Sequence, residues 1–204
     1  MHAQQKNIII VSNRLPVKIV RTGKKSELIP GSGGLVTALA PVLRDRGGIW
    51  IGWDGTTAGH FHKKLFQKES SRIGYRLIPV SLTSQQVELY YEGFSNTTLW
   101  PLFHDFLDRC QFQPETWEMY CRVNQKFAQE TLEQSSPQDL IWVQDYHLLL
   151  VGKFLDQLQF SGKTAFFLHI PFPPWDLFMR LPWRKELIEG LLHYDLVGFQ
   201  TERD

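Results

Sequence analysis

Asp145 and His147 sit two residues apart at the close of the apolar run Leu140-Ile141-Trp142-Val143, and His169 follows a second such run, Ala165 to Leu168. An aspartate and a histidine so placed could work as an acid–base pair, with His169 held beside them by the rigid Ile170-Pro171-Phe172-Pro173 turn. The plainer alternative is that each bonds loop backbone and nothing more. Arg14, reached through Ser12-Asn13 from the apolar run 8–11, could offer its planar fork to a phosphate or carboxylate. A surface arginine after a strand is the competing reading.

Pro30-Gly31-Ser32-Gly33-Gly34-Leu35 precedes a helical pattern, so its bare N–H groups could cradle an anion at the positive helix end. It is no dinucleotide fingerprint, because Val36 stands where G-x-G-x-x-G needs its third glycine and the loop does not follow the first strand directly. From the pattern alone, a flexible loop capped by glycines is slightly favoured over an anion cradle. Trp50, Trp53, Tyr90, Tyr91 and Trp100 crowd the regions where strands and loops should meet. Such rings pack on the C–H faces of sugars and offer N–H or O–H groups to their hydroxyls, although core packing is the default for any one of them. Trp53 and Trp100, at expected loop positions, lean toward a site.

Other chemistries lack their signatures. G-x-S-x-G is absent, which disfavours a hydrolase elbow. No D-x-D pair occurs and His60-Phe61-His62 has no nearby carboxylate, so no metal site is expected. The His60 to Lys64 and Lys68 to Arg76 stretches read as a solvated basic loop, and Asp105 and Asp108 as the exposed face of a helix. Cys110 and Cys121, in a stretch that reads as helical, are expected to be reduced, packed thiols, which suits a cytoplasmic setting.

The elements that must position these groups are short apolar runs at 8–11, 49–53, 75–80, 140–144, 165–168 and 195–199, separated mostly by longer periodic segments. That alternation predicts βα units, a mostly parallel sheet flanked by helices, and hence an α/β Rossmann-like fold. Five of the runs end in polar residues, the position where open α/β sheets do their chemistry. Helices are expected after Gly33-Gly34 as far as Gly47-Gly48, from Thr83 or Ser84 through Tyr90-Tyr91, from Pro114 onward, over 148–158 and over 185–192. Residues 201–204 look like a helix cap and first turn with no helix after them, so the 204-residue chain looks cut. A cleft at one open sheet edge then lacks its second wall.

A formal net charge of +1 leaves no overall field to attract nucleic acid or an anionic membrane, and neither partner is expected. Only four apolar residues follow the first seven, too few for a secretory signal, and no run reaches the roughly 20 apolar residues of a membrane span.

In order, Val11-Ser12-Asn13-Arg14-Leu15-Pro16-Val17, Gly33-Gly34-Leu35, Trp50-Ile51-Gly52-Trp53, Tyr90-Tyr91, Phe94-Ser95-Asn96, Leu99-Trp100-Pro101, residues 142–149 and residues 168–173 resemble the trehalose-6-phosphate synthase family. The resemblance runs from about Ile8 to Asp204 and closes on residues 195–201. It implies the N-terminal, acceptor-side half of a two-domain glycosyltransferase B-type architecture, over residues 1–204, whose full form transfers glucose from UDP-glucose to glucose 6-phosphate with retention. By resemblance, Arg14 and Tyr91 match positions that hold the phosphate, Asp145 one that holds sugar hydroxyls, and Trp53 and Trp100 walls of that pocket. Gly33 and Gly34 match the loop near the donor, and His169 a histidine beside the donor glucose, which makes Asp145 and His169 the candidate catalytic groups. No cofactor is implied. The cations that grip the donor diphosphate belong to a C-terminal domain absent from these residues, so the chain alone is expected to be almost inactive. The alternatives are a non-catalytic sugar-phosphate-binding or interaction subunit and a relative with another phosphorylated acceptor. The sequence leaves open the donor nucleotide and whether the chain forms a homo-oligomer.

Overall fold

The structure is a computed structural model and describes residues 7–22, 25–57 and 63–202. Six strands, β1 (Ile8–Arg14), β4 (Gly48–Trp53), β5 (Arg76–Val80), β6 (Leu140–Gln144), β7 (Lys163–Phe167) and β8 (Leu196–Gly198), form one sheet in the order β5-β4-β1-β6-β7-β8. Every pairing in it is parallel. Two strands, β2 (Val17–Thr22) and β3 (Lys25–Pro30), pair antiparallel as a separate hairpin.

Apart from the hairpin, successive strands first step outward from β1 through β4 to β5. The chain then crosses back to lay β6 on the other side of β1. The order therefore reverses between β1 and β6, and their carboxyl ends bound the crevice where this fold class binds ligands.

Both sheet faces are covered, which is why the strands read as nearly unbroken apolar runs. Along β1, Ile9 and Val11 face a core built with Phe94, Tyr120, Val123 and Phe127, whereas Ile10 faces the opposite core with Trp50, Leu43 and Phe66. The second core is closed by α1 (Gly34–Arg46), which ends at Gly47 with φ 73, and by α2 (Lys63–Ile73). This corrects the solvated basic loop expected around Lys64 and Lys68: Phe66 is buried there, and Arg72 pairs with Glu69 one turn earlier. His60 and His62 lie outside the described residues.

The first core is closed by α5 (Pro114–Gln134), whose proline begins the helix as expected. Ahead of it, α3 (Ser84–Gln86), capped by Thr83, continues into a π-helix over Val87–Leu99 and then α4 (Trp100–Phe103). The inner face of the π-helix buries Val87, Tyr90, Phe94, Ser95, Thr98 and Leu99. Nine residues are two and a half turns of α-helix, which would set Tyr91 and Trp100 on opposite faces. With the wider turn the same nine residues come to about two turns, which returns both rings to one side.

Other expectations shift locally. Trp53 ends a strand and Trp100 opens a helix, so neither occupies a loop. Asp105 lies in a turn with φ 63 and Asp108 in a single 3-10 turn, Leu107–Arg109, so they do not share a helix face. Cys110 follows that turn, outside any helix, while Cys121 lies within α5; both are free thiols. The remaining helices are α6 (Val151–Gln157), α7 (Trp175–Phe178) and α8 (Arg184–Leu192). Residues 203–204, half of the expected terminal cap, lie outside the described residues.

Candidate functional site at the sheet switch point

A cleft of about 380 Å³ opens where β1 and β6 end. Its lining includes Asn13, Arg14, Lys18, Gly33, Gly34, Tyr91, Asp145, Tyr146 and His147. Five of the eight residues singled out from sequence, Arg14, Gly33, Gly34, Tyr91 and Asp145, thus meet in one place. Trp53, Trp100 and His169 are not in the lining; Trp53 meets Arg14 and Tyr91, His169 bonds Asp145, and Trp100 contacts His104 and Phe106, outside the lining.

The end of β1 is fixed by its neighbours. Trp50 Nε1 donates to Ser12 Oγ at 2.8 Å, Ser12 Oγ donates to the Arg14 carbonyl at 2.7 Å, and Tyr90 donates to Asn13 Oδ1 at 3.0 Å. Leu15 N–H reaches the Trp53 carbonyl at 2.9 Å across the strand irregularity that follows Val11. Gly52 permits this approach, since a Cβ there would come within 2.9 Å of Ser12 O and 2.8 Å of Leu15 N. From this anchored backbone the exposed Arg14 side chain lays its guanidinium over the Trp53 ring, 4.4 Å from the centroid. Trp53 is buried, so its indole forms the seat of the cation and not a face of the cleft.

An aromatic column continues from that seat. Trp53 meets Tyr91 edge-on with centroids 6.0 Å apart, Tyr91 stacks on His147 at 5.7 Å, and His147 lies 3.9 Å from Tyr146. Both ring nitrogens of His147 are buried without a hydrogen-bond partner, and burial pushes its pKa down to about 3. The imidazole is therefore neutral across the ordinary pH range and cannot act as the acid of a pair with Asp145.

Asp145 occupies φ 73, ψ 166, a region that is costly for any residue but glycine. Its Oδ1 accepts two backbone N–H groups, from Tyr146 at 3.0 Å and His169 at 3.1 Å. Its own N–H reaches the Phe167 carbonyl at 2.8 Å, so backbone and carboxylate together tie the ends of β6 and β7. The turn beyond it hangs on α5: Tyr120 donates to the Tyr146 carbonyl and accepts from Leu149 N–H, while Asn124 bridges the His147 carbonyl and Leu150 N–H. Burial raises the Asp145 pKa, against the opposing pull of the two N–H bonds and of the neighbouring histidines 169 and 104.

His169 sits beside Asp145, its Nε2 2.9 Å from Gln144 Oε1. Gln144 uses its amide nitrogen toward the Trp142 carbonyl, so its oxygen accepts and the histidine proton is assigned to Nε2. Burial lowers the His169 pKa, and the Asp145 carboxylate only partly restores it. The His169 carbonyl in turn accepts from Gln200 at the end of β8. These bonds join the ends of β6, β7 and β8, and the Leu15–Trp53 bond joins those of β1 and β4; of the five polar-tipped strand ends, those of β1 and β6 line the cleft and the other three do not. Trp100, about one-third exposed, stacks on His104 with centroids 4.2 Å apart, and it is through His104 that this side of the helix reaches Asp145 electrostatically.

Sequence reasoning missed two participants. Lys18, on the hairpin, lines the cleft, and the β-branched residues Val17, Ile19 and Val20 around it were the signal that could have revealed its strand. Gly55 lies against the Arg14 guanidinium, and no local pattern discloses that. Among the described residues neither Arg14 nor Lys18 has a carboxylate partner, and no group of three or more potential metal ligands comes together. The cleft thus combines two cations without a carboxylate partner, the Asp145 carboxylate and aromatic walls, groups able to hold an anion and polar groups beside it. No helix among the described residues is long and apolar enough to cross a membrane.

The trehalose-6-phosphate synthase of Mycolicibacterium vanbaalenii is 47% identical over 194 residues, covering 95% of this chain and 40% of its own length. That of Mycobacterium tuberculosis is 46% identical with similar coverage. The structure of the Burkholderia xenovorans alpha,alpha-trehalose-phosphate synthase in complex with glucose-6-phosphate has a TM-score of 0.79 at 34% identity, over 97% of this chain and 41% of that one. An Escherichia coli trehalose-6-phosphate protein bound with UDP-2-fluoro glucose has a TM-score of 0.82 at 36% identity, over 98% and 41%. The chain spans about 40% of the length of the curated relatives it matches. The family model for glycosyltransferase family 20 matches residues 6–204, all but the first five, and the chain belongs to that family.

Proposed function

We propose that this chain forms the acceptor half of a retaining glucosyltransferase that joins glucose from UDP-glucose to the anomeric hydroxyl of glucose 6-phosphate. The observation that carries this reading is the unpaired Arg14 guanidinium seated over Trp53 in the cleft that also contains Asp145. Arg14, with Tyr91, holds the acceptor phosphate, and the backbone-anchored Asp145 carboxylate accepts from sugar hydroxyls. Trp53 acts from beneath the cation and Trp100 from the side of the sugar. The bare Gly33-Gly34 turn, whose positions have open space where a side chain would be, receives the donor at the start of α1. His169, neutral and oriented by Gln144, lies beside the donor glucose.

In the transfer, the bond from the donor anomeric carbon to the diphosphate oxygen breaks as the bond to the acceptor oxygen forms on the same face. The acceptor hydroxyl proton passes to the departing diphosphate. Such a step calls for orientation and charge stabilisation more than for a strong base, which fits a site made of binding groups. The groups that stabilise the diphosphate belong to the part of the longer relatives that this chain does not span, and it is there that a C-terminal domain completes the cleft. The two free thiols suit a cytoplasmic setting.

Calorimetric titration of the chain tests the acceptor reading. Glucose 6-phosphate is expected to bind at least about tenfold more tightly than glucose, the worth of one charge-assisted phosphate contact. Equal affinity for the two would remove the phosphate site from this cleft.

A further inference from the structure

The turn after β4 builds the place where Arg14 rests. Trp53 Nε1 donates to the Thr56 carbonyl at 2.8 Å, and Asp54 Oδ1 accepts from both Thr56 N–H, at 2.8 Å, and Thr56 Oγ1, at 3.0 Å. These bonds close the turn and fix the indole beneath the guanidinium. Gly55, at φ 86, stands between them with its bare Cα turned to the cation. A Cβ at that position would lie 2.8 Å from Arg14 Cζ and would overlap Nη2. The guanidinium therefore has the indole against it and a notch at position 55 that only glycine leaves open.

We propose that Gly55 is a positioning residue for Arg14, and that this notch sets the cleft's preference for phosphorylated over unphosphorylated sugar. A guanidinium recognises phosphate through the direction of its planar fork, so a displacement of the group costs hydrogen bonds that a point charge would keep. The Asp54–Thr56 clasp is the support: it holds the indole and the notch in register whether or not a ligand is bound, so little ordering is left to be done on binding. Gly55 itself touches no ligand in this scheme. Its effect passes wholly through Arg14.

This inference rests on the acceptor reading above, and one set of titrations separates the two. The full chain, with Gly55→Ala, Asp54→Ala, Arg14→Ala and the Gly55→Ala/Arg14→Ala pair, is titrated with glucose 6-phosphate and with glucose, each variant having first been checked for folding by circular dichroism. Gly55→Ala is expected to weaken glucose 6-phosphate about tenfold and to leave glucose within about twofold. Asp54→Ala, which opens the clasp and leaves the left-handed glycine untouched, gives a smaller loss of the same selectivity and serves as the deciding variant if Gly55→Ala does not fold. In the Arg14→Ala background, Gly55→Ala has no further effect, because a residue acting through another loses its influence when that other is gone. Equal weakening of both sugars, or a Gly55→Ala effect that persists without Arg14, would overturn the inference and leave the acceptor reading standing. A wild-type chain that does not prefer glucose 6-phosphate would overturn both.

Discussion

Asp145 Oδ1 accepts the backbone N–H of His169 at 3.1 Å, so the carboxylate that reads as a sugar-hydroxyl acceptor is also the tie between two adjacent strand ends. The same residue has a backbone conformation close to glycine-only territory. Binding chemistry and local strain thus fall on one position. Strain of this kind persists where the surrounding bonds over-determine it, and here they come from Tyr146, His169 and Phe167.

That coincidence makes a prediction about stability. Asp145→Ala keeps the strained backbone and loses the side-chain bonds, whereas Asp145→Gly loses the same bonds and relieves the strain. The glycine variant should therefore be the more stable of the two by about 1–2 kcal/mol, even after its greater unfolded-state freedom is counted. Denaturant unfolding of both variants checks the order. A glycine variant less stable than the alanine one would mean that the backbone at 145 is not strained.

His147 sets a pH dependence. Its folded pKa of about 3 lies below the unfolded value near 6.5, so in that window the unfolded state binds more protons. The stabilising contribution is complete above about pH 6.5 and is lost as pH falls toward 3, by several kcal/mol in all. His169, lowered in the same sense, adds to this slope, while Asp145, raised by burial, opposes it. His147→Phe should flatten the dependence of unfolding free energy on pH between about 6.5 and 3. A slope as steep as that of the wild type would place the proton uptake on other groups.

Tyr120 holds the turn that follows Asp145 through two backbone partners. Tyr120→Phe leaves the Tyr146 carbonyl and Leu149 N–H unpaired in the interior, at a cost of about 1–3 kcal/mol. Thermal or denaturant unfolding measures the loss. A change within about 0.5 kcal/mol would show that the turn is held by packing alone.

Gly52→Ala should be costly at this buried position, because the added carbon meets backbone atoms of Ser12, Arg14 and Leu15 that cannot rotate away. A destabilisation of about 1–3 kcal/mol is expected, with a parallel loss of glucose 6-phosphate affinity as the end of β1 moves. Loss of stability with affinity intact would uncouple the Arg14 backbone from this contact.

How far the sequence discloses this site depends on the range of the interactions. Strands such as 8–11 and 140–144 are legible because burial on both faces selects continuous β-branched and aromatic runs. Polar tips at the ends of β1 and β6 mark the crevice, and with it Arg14 and Asp145. The β2–β3 hairpin passes unnoticed because Val20 interrupts the alternation of β2 on its exposed face and Lys18 reads as a surface charge. The joint placement of Tyr91 and Trp100 is illegible for a different reason: at α-helical spacing they would diverge, and only the π-helical segment returns them to one side. Tyr120 and Asn124 look like core residues of α5, and their bonds to residues 146–150 are long-range contacts that no local window contains.

The central claim is that the cleft at the ends of β1 and β6 receives the phosphate of glucose 6-phosphate through Arg14. Its most direct test is the difference in glucose 6-phosphate affinity between the wild-type chain and Arg14→Ala, measured by calorimetry alongside glucose. Loss of a charge-assisted contact predicts a weakening of about 1.5–3 kcal/mol for glucose 6-phosphate and almost none for glucose. An unchanged affinity for glucose 6-phosphate, or an equal loss for both sugars, would contradict the account.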